Sequence, residues 1–166
     1  MKIIMGSVAK GFGLKMPIKA HLEAQGHEII DVGCYDTNTF YKFPAMAERV
    51  AKALQDGVAD FAINCCGSGT GASICTNKYK DVCALSCETV KTAELARVVN
   101  DANCLCMGES IVEPELGCKM ADAFLAAKFQ DMDGIPDDVL GFWKEARDEA
   151  FSKGEVAIER EIEILS

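Results

Sequence analysis

No stretch of this chain approaches the roughly 18 consecutive apolar residues that a membrane-spanning helix requires, although 49% of its 166 residues are hydrophobic. The apolar start, MKIIMG, lacks the basic lead, the longer apolar region and the small-residue cleavage site of a secretory signal, so a soluble, cytoplasmic chain is expected. Basic charge is also scarce. Lys and Arg together number 17 against 26 Asp and Glu, a formal net charge of −9, which argues against nucleic acid as a partner because phosphate backbones are held chiefly by basic patches. There is no C-x-x-C pair among nine cysteines, and the only two histidines, His21 and His27, fall in or beside the first predicted helix. No metal site and no cofactor are therefore expected. Nor is there an internal repeat, a low-complexity tract or a Gly/Ser linker.

What is present is a length suited to one compact domain and a regular alternation of short apolar runs with stretches of helical period. That alternation predicts an α/β fold: a three-layer αβα, Rossmann-like arrangement around a five-stranded, mostly parallel sheet. The predicted strands are Lys2 to Ser7, Glu28 to Val32, Asp60 to Cys65, Val82 to Leu85 and Cys104 to Met107. Helices are predicted at Leu14 to Ala24, Ala45 to Leu54, Thr70 to Asn77, Thr89 to Val99 and Glu113 to Phe129. An acidic, Pro/Gly-containing stretch from Asp131 to Asp138 divides this core (1–130) from a C-terminal helical extension of the same domain (131–166). Within the extension, Glu155 to Leu165 reads as a strongly charged helix. The cysteines lie inside apolar runs and read as reduced thiols rather than as a disulfide framework.

In an open parallel sheet, ligands gather beyond the carboxyl ends of the strands, and two segments compete for that position. Gly6 to Gly13 follows the first strand, but its glycine spacing is not that of a dinucleotide loop, and the acidic residue that would hold a ribose is ambiguous at Asp31. Asn64 to Gly71, after the third strand, is sharper. The alternating Gly67, Gly69 and Gly71 let backbone N–H groups converge on an anion, and Cys66 opens the turn. A thiol in that setting can act as a base or nucleophile. The alternative is a tight turn of small residues with Cys66 as one more buried thiol. With neither histidine suitably placed, proton transfer next to a carbonyl is more apt than acylation, since it needs one base and a set of N–H donors for the enediolate oxygen.

The motifs resemble one family along most of the chain. Gly6-Ser7, Gly11-Phe12, Leu14-Lys15, Gly26-His27-Glu28, Asp31-Val32-Gly33, Cys66-Gly67-Ser68-Gly69-Thr70-Gly71 with Ser73, Ile74, Asn77 and Lys78, and Arg97 with Asn100-Asp101-Ala102-Asn103 and Gly108 are similar to the type B ribose-5-phosphate isomerases and the galactose-6-phosphate isomerase subunits. The resemblance implies an aldose–ketose isomerase in which Cys66 moves a proton between C1 and C2 through a cis-enediolate. It further implies that Gly67, Gly69, Thr70 and Gly71 cradle the intermediate, that Ser68 assists as a hydroxyl donor, and that Asn100 binds a substrate oxygen across a subunit boundary. A homodimer or dimer of dimers with shared sites follows from it.

The departures concern the phosphate. Val8-Ala9 stands where the family has Asp-His, Val99 where it has a ring-opening histidine, Ser110 where it has an arginine, and Asp133 to Asp138 where it has a C-terminal Gly-Arg-His-x-x-Arg element. A dianion needs several charge-assisted donors, so the expected ligand is an open-chain or differently charged sugar or sugar phosphate, with Lys10, Lys42 and Arg97 as replacement cations. A non-catalytic sugar-binding protein or a structural partner subunit that keeps the fold is the alternative function.

Overall fold

A computed structural model describes residues 1–152; the charged segment Glu155 to Leu165 lies outside the described residues. The expected alternation is realised as β1 (Lys2–Ser7), a 3-10 turn (Ala9–Gly11), α1 (Phe12–Ala24), β2 (Glu28–Gly33), α2 (Phe43–Gln55), β3 (Phe61–Cys66), α3 (Thr70–Thr76), β4 (Ala84–Ser86), α4 (Val90–Val98), β5 (Cys104–Gly108), α5 (Pro114–Ala126) and α6 (Asp137–Ser152). The five strands pair in the order β2-β1-β3-β5-β4, every pair parallel.

Strand periodicity sends alternate side chains to opposite faces, and two apolar layers result. Ile3, Met5, Ile63 and Leu105 meet Leu14, Ile18 and Leu22 of α1, Ala93 and Ala96 of α4, and Met120 and Phe124 of α5. Ile4, Ala62, Cys104 and Cys106 meet Val50 and Ala51 of α2 and Ala72 of α3. Both faces of the sheet are therefore closed, as a parallel sheet requires.

Most element ends shift by one or two residues from the sequence expectation, and three of the shifts have a visible cause. α2 begins at Phe43, with Pro44 in its first turn, where proline lacks nothing the helix needs. β4 starts only at Ala84, because side-chain amides occupy the preceding backbone: Cys83 N–H donates to Asn103 Oδ1 at 2.9 Å and Ala84 N–H to Asn77 Oδ1 at 2.8 Å. α5 ends at Ala126 rather than Phe129, since Ala127 turns extended and Gln130 N–H reaches the Val98 carbonyl at the end of α4, 2.9 Å away.

α6 buries none of its residues. It lies along the amino-terminal end of the sheet, where Arg147 bonds Asp101 at 2.8 Å and stacks over Phe129, 5.1 Å from the ring centre. Among the described residues no helix is long and apolar enough to cross a membrane.

Candidate active site

The strand order reverses between β1 and β3, since the chain moves outward from β1 to β2 and then to the other side through β3, β5 and β4. The loops leaving the carboxyl ends of β1 and β3 are consequently neighbours. The two segments that compete in the sequence thus form one site. A cavity of about 450 Å³ is lined by Val8, Ala9 and Lys10 from the first, by Cys66 and Gly67 from the second, and by Phe40, Tyr41, Lys42, Phe43 and Pro44 from a third.

Cys66 is the last residue of β3, and it is 9% exposed where it meets this cavity. Its neighbour Cys65 is fully enclosed on the other face, and burial pushes the Cys65 thiol well above its ordinary pKa, so it stays protonated. The two loops touch through glycine. A Cβ on Gly11 would stand 2.4 Å from the Cys65 carbonyl carbon and 2.6 Å from the Cys66 nitrogen, which only a residue without a side chain permits. Gly69 caps α3 with φ +80°, and a side chain there would also strike Ser86 Oγ and the backbone of Met107.

Beyond Cys66 the loop is tied to the end of β5 through the Glu109 N–H to the Cys66 carbonyl (2.9 Å) and the Ser110 N–H to the Gly67 carbonyl (3.0 Å). Ser68 and Thr70 are exposed, their hydroxyl oxygens 2.7 Å apart. An exposed hydroxyl pair two and four residues beyond the thiol, a thiol with access to the cavity, and a glycine-rich backbone can together hold an oxyanion and exchange a proton with a neighbouring carbon.

Of the expected replacement cations, the fold brings Lys10 and Lys42 to the cavity, Lys10 closest to the glycine turn. Its Cγ lies 3.2 Å from where a Cβ on Gly67 would stand, and its ammonium is 3.4 Å from Glu109 Oε1. Arg97 is not brought to this cavity in the same chain. It is 8% exposed, its guanidinium bonds Asp101 (2.7 Å) and the Ala102 carbonyl (2.9 Å), and it stacks on Phe61 at 4.6 Å. Those partners belong to the starts of β3 and β5, so the arginine is spent on joining α4 to the sheet. Asn100, exposed, precedes β5, and the four steps along the five residues Cys104 to Gly108 put about 13 Å of strand between the two ends of the sheet. Within one chain Asn100 cannot reach Cys66; it borders a separate 190 Å³ hollow beside Trp143 and Arg147 of α6.

Asp31, the ambiguous ribose ligand, is fully engaged: Lys15 holds both of its oxygens (2.8 and 3.0 Å), and Lys19 and the Gly33 N–H add further bonds. The aromatic wall is what the sequence reading missed. Its signal was Phe40, Tyr41 and Phe43, three rings in four positions of an otherwise polar loop. Phe43 lies within 3.3 Å of where a Cβ on Gly71 would stand, which brings its ring against the turn. The root of the loop is fixed at Cys34, whose N–H donates to the Ser7 carbonyl (2.7 Å) and whose carbonyl accepts from the buried Lys15 ammonium (2.6 Å).

Residues 3–135 match the Ribose/Galactose Isomerase family. The chain is 41% identical over 131 residues to 4-deoxy-4-sulfo-D-erythrose isomerase of Clostridium sp. strain MSTE9, covering 79% of this chain and 82% of that protein. It is 38% identical over 129 residues to ribose-5-phosphate isomerase B of Escherichia coli, covering 78% and 86%. The crystal structure of a ribose 5-phosphate isomerase from Thermotoga maritima superposes with a TM-score of 0.82 at 29% identity, over 92% of this chain and 98% of the other.

Proposed function

The chain belongs to the ribose/galactose isomerase family, and from that premise we propose that it interconverts an aldose and its 2-ketose on a short, open-chain sugar carrying one anionic group. The observation that carries this reading is the Cys66 thiol opening onto a cavity walled by the loops after β1 and β3. Cys66 Sγ takes the proton from C2 of the aldehyde form, the C1–C2 enediolate forms, and the same sulfur returns the proton to C1. The hydroxyl proton passes from O2 to O1, completing the ketose. Backbone N–H groups of Gly67 to Gly71 hold the enediolate oxygens, Ser68 assists as a hydroxyl donor, and Asn100 enters from a second copy of the chain in a dimer. A cytoplasmic setting suits a small reduced-thiol enzyme of this kind. The similarity to named isomerases favours catalysis over a silent binding protein or a structural subunit.

The substrate class follows from ring chemistry. A tetrose whose C4 bears the charged group has no free C4 hydroxyl, so it cannot close a five-membered ring and needs no ring-opening imidazole. Val99, Val8 and Ala9 are consistent with that, being apolar where the family resemblance expects polar groups. The Clostridium relative is named for such a sugar. The test is ketose formation from 4-deoxy-4-sulfo-D-erythrose, D-erythrose 4-phosphate and D-ribose 5-phosphate under identical conditions. Faster conversion of a tetrose is expected, and preferred turnover of the pentose phosphate would overturn the substrate assignment.

A further inference from the structure

Among the described residues only two charged side chains, Lys10 and Lys42, line the cavity that holds Cys66. One of them is already partnered. The Glu109 carboxylate meets the Lys10 ammonium at 3.4 Å through Oε1 and accepts the Gly13 N–H at 2.9 Å through Oε2. Gly13 lies in the first turn of α1, so this carboxylate occupies the positive helix end, where an incoming anion would otherwise gain most. Its own backbone N–H is bonded to the Cys66 carbonyl, which fixes the negative charge relative to the reacting sulfur.

The pair is unequal in freedom. The Glu109 side chain is 26% exposed and doubly held, while that of Lys10 is 67% exposed and rests its methylene stem against Gly67. Lys10 can turn its ammonium toward a ligand; Glu109 stays.

We propose that Glu109 determines which anion the site accepts: it is a resident negative charge that leaves Lys10 and Lys42 sufficient for a monoanionic tail such as a sulfonate and insufficient for a dianionic phosphate. This rests on the isomerase reading above and names the chemistry of the substrate's charged end. Two ammonium groups less one carboxylate leave a single positive charge at the rim, which balances a sulfonate. A phosphate monoester brings up to a second negative charge at neutral pH, and that charge meets a fixed like charge in a partly enclosed space. Val8 and Ala9 offer no further donor side chain. Glu109 acts through Lys10 and through the field at the rim, without touching the reacting carbons.

The experiment compares 4-deoxy-4-sulfo-D-erythrose with D-erythrose 4-phosphate on the unaltered enzyme and on the Glu109→Gln, Lys10→Met and Lys10→Arg variants. Glutamine keeps an acceptor for the Gly13 N–H, so the fold is retained. Glu109→Gln is expected to lower KM for the phosphate by about tenfold with kcat little changed, and to move KM for the sulfonate by less than about threefold. Lys10→Met is expected to raise KM for both, and Lys10→Arg to restore most of the loss. A sulfonate-to-phosphate ratio of kcat/KM that Glu109→Gln leaves within about twofold overturns the proposal, as does an unaltered enzyme that favours the phosphate. Protection of Cys66 from iodoacetamide by ethanesulfonate against ethyl phosphate reads the same discrimination without turnover. A protein that converts neither tetrose nor D-ribose 5-phosphate yet shows Glu109-dependent protection loses the isomerase reading alone, and equal protection in the unaltered and Glu109→Gln proteins removes this one.

Discussion

Cys65 and Cys66 are consecutive on β3 yet serve opposite sides of the sheet: Cys65 belongs to the apolar layer that includes Leu14, Ile18 and Met107, and Cys66 to the layer that includes Val50, Ala72 and Cys106. Substitution should separate them. Cys66→Ala is expected to lower kcat by about 10²–10⁴-fold, the range for loss of a positioned acid–base group, with little change in the urea midpoint. Cys65→Ala should keep most activity and lower stability by about 1 kcal/mol through lost packing. Activity and denaturation curves on the same preparations check both, and a fully active Cys66→Ala protein would remove the thiol from the mechanism.

Alkylation offers an independent reading. Burial raises the Cys65 thiol, and at Cys106 the hydrogen bond shared with the Cys104 thiol, followed by burial, holds the proton on, so at mildly alkaline pH neither carries appreciable thiolate. Peptide mapping after limited iodoacetamide treatment should find Cys66 modified while Cys65 and Cys106 are spared. Substrate should protect Cys66.

Lys15 is wholly buried beneath the aromatic loop and is held by Asp31 and the Cys34 carbonyl. Lys15→Ala strands a carboxylate that is 13% exposed, and breaking such a pair from one side costs about 3–5 kcal/mol. Lys19 remains at 3.2 Å to soften the loss. Urea unfolding measures it; a change below about 1 kcal/mol would show that Lys19 and solvent suffice.

Arg97→Ala should behave as a structural change. Loss of its bond to the Ala102 carbonyl and its stacking on Phe61 is expected to cost about 2–4 kcal/mol, with Arg97→Lys intermediate because lysine keeps the charge without the planar stack. Reduced substrate affinity at unaltered stability would instead return Arg97 to the site.

Alkaline pH should destabilise the fold. The Cys83 thiol is pushed up to about 11 by burial, and Cys65 and Cys106 are also raised, against an ordinary value of 9.0. A group whose folded pKa exceeds its unfolded one keeps its full contribution below the unfolded value and loses it as pH rises toward the folded value. The decline therefore opens near pH 9 and, for Cys83, is complete beyond about pH 11. Urea midpoints taken across that interval should fall, and Cys83→Ser should flatten part of the slope.

Strand and helix order were legible because each buried strand is a short apolar run and each helix keeps an apolar stripe. The ends that moved were set by distant partners: the amides of Asn77 and Asn103 delay β4, and the Val98 carbonyl draws the chain out of α5 at Ala127. The Cys66 turn was visible from its glycines. The wall of Phe40, Tyr41 and Phe43 was not, since a polar loop carries no period that says which surface it will cover. Arg97 misled for the converse reason, as a charge in sequence does not reveal that two rings and a carbonyl will enclose it.

The loop that carries Phe40 and Tyr41 is tied back at its root by Cys34 and by the Tyr35 hydroxyl on the Asp31 carbonyl, and at its far end by Arg49 stacked over Tyr41, while residues 35–40 stand in solvent. Lengthening it between residues 35 and 40 alters none of the five strands, and of its rings only Phe43 bears on the glycine turn. Selection can therefore refit this protein to a new carbohydrate by editing one short panel, with the proton-transfer hardware inherited intact.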